Sequence, residues 1–194
     1  MNPPHRRPIL RAERIWLRTL ERSDMPLFRE WLNDADVAET MSGVKPWGVG
    51  RAERFGEENE AEQGKTAWRF VICLRGTDEP IGVISLDEVN LFHGHGELGL
   101  LIGERSRWDQ GYGTEASPII LDFGFGELRL ERIFLYVMSS NARGRRTYEK
   151  VGFRHEGTLR HMQFRHGRFV DWELMSILRD EWLALERPRS WEIE

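Results

Sequence analysis

Residues 108–116 place Gly111, Gly113 and Ala116 just ahead of a helical apolar pattern. Glycine lets main-chain N–H groups approach a ligand closely, and a helix N-terminus favours anionic oxygens, so this segment suits phosphate. A Walker A loop is excluded because no lysine follows the glycines. The dinucleotide fingerprint is matched literally by Gly111-x-Gly113-x-x-Ala116, with Glu131 about 20 residues on. Its context is wrong. Residues 104–110 separate Gly111 from the preceding strand pattern, and Glu131 comes before the next strand, not at its end.

Other residues of chemical interest are fewer. Glu97 interrupts an apolar strand pattern over 96–102, which costs stability unless the carboxylate is solvated or paired. Alternation puts His95 and Gly99 on its face. Tyr148 stands one helical turn from both Gly144 and Gly152, a spacing that lets a ligand come close. Cys73 lies in the apolar stretch 70–74, a strand expected to offer it no basic partner, as for an inert buried thiol. His93 and His95 would need two further ligands to hold a metal, and none is placed, so no metal is expected. Tryptophans such as Trp31, Trp47, Trp68 and Trp172 read as core or pocket wall. The glutamate-rich stretch 53–62 reads as a solvated helix face, or as a field that steers cationic acceptors.

These residues need a frame. The chain has 194 residues, 40% apolar and 31% charged, enough for one domain with a real core. A formal charge of −4 argues against a nucleic-acid coat. A single cysteine excludes an internal disulfide framework. The basic, proline-rich start has no apolar stretch behind it, and apolar runs of about five residues fall far short of a membrane span. A soluble cytoplasmic protein is expected, with no membrane or nucleic-acid partner. Periodicity predicts a strand at 15–20, a helix at 24–32, irregular chain at 33–50 and a helix at 51–62. Three antiparallel strands follow at 67–75, 80–89 and 96–102, then a helix bearing Ala116, Ile119, Ile120 and Phe123. A strand at 133–138 and a helix at 142–151 come next, the helix closed by Gly152 in the left-handed conformation with Phe153 as its apolar contact. Strands at 158–164 and 169–178 are joined by a tight turn at His166-Gly167. Pro118 fits the glycine-rich helix best in a first turn capped by Ser117, which would leave 111–116 as loop. The order gives a mixed α/β (α+β) domain over 1–194, with a core at about 15–178 and a tail at 183–194.

Residues 108–116, with Trp108 ahead of the glycines, resemble the pyrophosphate motif of the GNAT-type N-acetyltransferases. The likeness is to the branch that acetylates ribosomal-protein N-termini and polyamines. A second signature runs from Asn141 through Tyr148, Glu149 and Lys150 to Gly152 and Phe153. A third begins at Glu156, Gly157 and Thr158 and leads to Met175 and Ser176. Gly144 departs from the pattern, since many relatives carry serine there. The resemblance implies a central, mostly antiparallel sheet of about seven strands flanked by helices and splayed at a cofactor cleft. It implies acetyl-CoA as cosubstrate and a primary amine as acceptor: a protein N-terminus, a polyamine or another small amine. Leu101 and Ile102 would offer backbone groups to the pantetheine arm, and the Leu101 amide would face the thioester oxygen. Gln110, Gly111, Tyr112, Gly113 and Thr114 would hold the pyrophosphate, Asn141 would contact the cofactor, and Arg107 or Arg146 would meet the 3′-phosphate. Glu97 matches the carboxylate that helps deprotonate the amine, and Tyr148 the tyrosine that protonates the thiolate. Relatives are often dimers, so a homodimer is possible. The competing expectation is a non-catalytic acyl-CoA-binding module of the same fold.

Overall fold

The computed structural model describes residues 9–41 and 46–193. Part of the irregular segment expected at 33–50, residues 42–45, lies outside the described residues. Eight strands form one sheet: β1 (Leu10–Arg11), β2 (Ile15–Thr19), β3 (Trp68–Leu74), β4 (Pro80–Asn90), β5 (His95–Ile102), β6 (Arg132–Met138), β7 (Arg154–Arg165) and β8 (Arg168–Leu178). Their spatial order is β1-β2-β3-β4-β5-β6-β8-β7. Every described pairing is antiparallel except β5 with β6. The eighth strand, beyond the seven expected, is the two-residue β1. Strand β7 begins at Arg154, four residues ahead of the expected start, because a bulge near Gly157 absorbs the break in alternation.

Among the described residues there are six α-helices: α1 (Met25–Asn33), α2 (Ala35–Thr40), α3 (Val49–Glu62), α4 (Tyr112–Asp122), α5 (Ala142–Val151) and α6 (Arg179–Leu183). One face of the sheet takes α4, whose fully buried Ala116, Ile119 and Ile120 join Ile72, Ile84 and Ile133. The other face takes α1 and α3, with Met25, Phe28, Trp31 and Ala52 against Val71, Val83 and Leu101. Between the register shifts at the ends of β4, odd-numbered residues such as Val71, Val83 and Leu101 therefore meet α1 and α3, and even-numbered ones such as Ile72, Ile84 and Leu98 meet α4.

Helix α2 corrects the expectation of irregular chain. Asp34 caps it, accepting from the N–H groups of Asp36 (2.9 Å) and Val37 (3.1 Å). Its C-terminal carbonyls are held from across the fold by Arg165, 4% exposed, which donates to Ala38 O (3.2 Å), Glu39 O (2.9 Å) and Met41 O (3.2 Å). So short a helix has little stability of its own, and this tertiary capping supplies it. Two local expectations hold as stated. Gly152 (φ 110°) closes α5, with the Phe153 N–H on Tyr148 O at 3.0 Å, and His166-Gly167 turn with φ of 47° and 77°. The expected tail is packed, since Asp122, fully buried on α4, accepts from Trp182 Nε1 (2.8 Å), Arg187 (2.6 Å) and Ser190 N (2.6 Å).

Candidate active site

The parallel pairing of β5 with β6 runs from His95–Arg132 to Glu97–Phe134 and then stops. Strand β5 stays paired to β4 as far as Ile102, and β6 stays paired to β8 as far as Met138. The sheet therefore opens as a V beyond Glu97. Which main-chain groups face the opening follows from the ladder. Gly103 N–H bonds Ile81 O at 3.0 Å, and hydrogen-bonded residues alternate along an antiparallel pair. Leu101 and Gly99 thus turn their N–H and C=O to β4, while Leu100 and Ile102 turn theirs into the V. This corrects the expectation for Leu101: its amide is spent on Val83, and the free one is that of Leu100. The Ile102 carbonyl is also taken, by Trp108 Nε1 at 2.7 Å.

A cavity of about 360 Å³ fills the V. At one end stands the N-terminus of α4. Gly111, at φ 82°, turns the chain into the helix, in a left-handed conformation that side chains with a Cβ adopt at a cost. The N–H groups of Tyr112, Gly113 and Thr114 have no intrahelical acceptor, and Gly111 offers no side-chain cap. Helix α4 begins at Tyr112, so the alternative with 111–116 as loop is not what forms. Pro118 sits inside the helix, where its missing N–H leaves the Thr114 carbonyl without its i+4 donor, and Ser117 bonds back to Gly113 O at 2.8 Å. Arg14 pins the loop from the outside, bonding Glu115 (2.7 Å) and Gln110 O (3.1 Å) with its guanidinium 4.6 Å from the Tyr112 ring centre.

Basic side chains rim this end. Arg143 lies 3.9 Å from the Trp108 ring centre, which sets its direction. Arg107 is half neutralised by Glu79 (2.9 and 3.1 Å). Exposed Arg146 has no ion pair among the described residues, and Lys150 lines the cavity beside it. Asn141 is also on the wall, its Oδ1 capping α5 through Gly144 N at 2.9 Å. Of the expected cofactor residues, Gln110 alone falls outside the lining, its side chain folded onto Ser106 O at 2.6 Å. Arg143, within the second signature, also lines the cavity without having been expected there, as do the β6 residues Tyr136, Val137 and Met138, whose place depends on the V.

Glu97 and Tyr148 meet the cavity where the strands part. Glu97 is half-buried, and burial, then the charges of Glu88 and Asp87, raise its pKa to about 7. Asp87 faces it directly across β4–β5, in a register that shifts between Asp87 and Asn90. Tyr148 is 8% exposed, and burial pushes its hydroxyl above the usual tyrosine range, so it stays protonated near neutrality. Cys73 departs from expectation in one respect. Arg18 does reach it, but burial dominates and the thiol pKa is raised, so it stays an inert thiol.

The cavity thus joins free amides and cations at one end to a carboxyl and a phenol at the other. That set fits an anionic, phosphate-bearing thioester with its acyl end beside Glu97. Residues 14–154 match the family model described as an acetyltransferase (GNAT) domain. An N-acetyltransferase of Bacillus licheniformis is 29% identical over 174 residues, covering 89% of this chain and 97% of that protein. The spermidine N(1)-acetyltransferase of Escherichia coli K12 is 29% identical over 177 residues, covering 89% and 90%. The crystal structure of Vibrio cholerae spermidine N-acetyltransferase with CoA and spermine superposes with a TM-score of 0.79 at 27% identity, over 88% of this chain and 99% of that one. With its eight-stranded sheet, its V at β5–β6 and its open helix N-terminus, the chain belongs to the GNAT acetyltransferase family, and it is an acyl-CoA-dependent N-acetyltransferase acting on an amine.

Proposed function

We propose that acetyl transfer here goes by direct attack of a primary amine, with Glu97 as general base and Tyr148 as general acid. The observation that carries this is the presence of both groups in the lining of one cavity, a carboxyl with a pKa of about 7 and a buried phenol held protonated. Acetyl-CoA supplies an activated acyl group and a sulfur leaving group. The residues present fit it. Free N–H groups of Tyr112, Gly113 and Thr114 hold the pyrophosphate, Arg143 and Arg146 add charge at the phosphates, and Asn141 lies along the arm. The Leu100 N–H, turned into the V, faces the thioester oxygen as it gains charge, and a donor aimed in advance is often the largest catalytic contribution.

A primary aliphatic amine has a pKa of about 10.4, so it arrives protonated at neutral pH. Glu97 takes a proton from the attacking nitrogen, directly or through water, and Tyr148 gives one to the departing sulfur. Acid–base help of this kind contributes about 10²–10⁴ in rate. Release of free thiol from acetyl-CoA across a panel of amines tests the proposal. No release with any amine, despite tight cofactor binding, would leave a binding module in its place. Spermidine acetyltransferases are among the relatives, and Glu97, with Glu88 nearby, supports an acceptor that is cationic in water here too.

Self-association, with a homodimer as its smallest form, and a cytoplasmic location belong to the same proposal. Support for the former is the β7–β8 hairpin at the sheet edge, where Met162 (58%), Phe164 (62%) and Phe169 (57%) are exposed. Sedimentation of a Phe164→Glu, Phe169→Glu variant as monomer, against a larger wild type, is the expected outcome.

A further inference from the structure

A second cavity, of about 520 Å³, lies on the α1–α3 face of the sheet and meets the first along Met41, Gly99, Leu100 and Leu101. Leu20, Phe28, Phe55, Val83, Leu100 and Leu101 give it an apolar wall. Its carboxylates are largely spent. Asp87 accepts from Arg69 Nε (2.6 Å) and the Ser85 hydroxyl (2.5 Å), and Glu62 accepts from Arg69 Nη2 (2.8 Å). Arg69, its side chain 13% exposed, lies 5.3 Å from the Phe55 ring centre. Arg69 thus pairs with both carboxylates, and among the described lining acids Glu88 alone has no ion pair.

A polyamine carries several ammonium groups, and each needs an unspent acceptor when it leaves water. This cavity offers chiefly hydrocarbon and aromatic surface. We infer that it holds the body of the acceptor, and that the acceptor is a primary monoamine carried on an apolar or aromatic body. Gly99 lines both cavities, two residues from Glu97 on the same face, and a Cβ there would stand 2.6 Å from Ser85 Oγ. The inference rests on the acetyl-transfer proposal and adds to it the chemistry of the acceptor.

The test is thiol release with linear alkylamines from ethyl to hexyl, which differ little in basicity, alongside phenethylamine and spermidine. Burial of each added methylene is expected to raise kcat/KM about 3- to 4-fold. Phe55→Ala is expected to cut the hexyl-to-ethyl ratio about 10-fold. A flat alkylamine series, or spermidine preferred over hexylamine by about tenfold, overturns the inference and leaves acetyl transfer standing. Failure of every amine overturns both. The wild-type series decides the matter even if Phe55→Ala does not fold.

Discussion

Replacing Glu97 by glutamine removes a carboxyl whose folded pKa of about 7 lies well above its ordinary 4.5. Because the folded state holds that proton more tightly than the unfolded chain, the contribution of Glu97 to stability is fullest below about pH 4.5 and is lost as pH rises through 7. Glutamine is insensitive to pH. The variant should therefore match the wild type at pH 4.5, gain on it by about 1.4 kcal/mol per pH unit, and level off about 3 kcal/mol ahead above pH 7. That is a large share of a typical folding free energy of about 5–15 kcal/mol. Urea denaturation of both proteins without acetyl-CoA, from pH 4.5 to 9, reads the difference directly. In parallel, kcat/KM should fall about 10²–10⁴-fold and lose its inflection near pH 7, keeping only that of the amine. A stability difference independent of pH, or turnover within about threefold of wild type with the inflection intact, would refute the role given to Glu97.

Three further outcomes are expected. Tyr148→Phe should lower kcat about 10²-fold while the KM for acetyl-CoA stays within about twofold, by steady-state kinetics with a reactive amine. Gly111→Val forces a β-branched residue to φ 82°, costing about 1–2 kcal/mol and displacing the amides of α4, so calorimetry should show acetyl-CoA bound at least about tenfold more weakly. Asp122→Asn leaves Arg187 beside a neutral partner at a fully buried site and should cost about 3–5 kcal/mol in urea unfolding.

Local signals in the sequence were enough for much of this protein. Alternation gave β3, β4 and β5, and the turn at residues 90–94 joins β4 to β5. Gly152 and His166-Gly167 marked a helix end and a hairpin, because left-handed conformations leave a compositional trace. Gly111 marked the open helix end for the same reason. What depends on contact between distant segments was not legible. Helix α2 exists because Arg165, more than 120 residues away, caps its carbonyls. The tail is ordered by a carboxylate on α4. Side-chain periodicity says which face a residue takes, but not which edge its N–H points to, and so Leu101 stood where Leu100 belongs. The parting of β5 from β6 is likewise a property of pairing, set by where one ladder stops while its neighbours continue. Residue types thus decided what chemistry is present, and the packing of strands against strands decided where an open amide, a raised carboxyl pKa and a spent pair of carboxylates would lie.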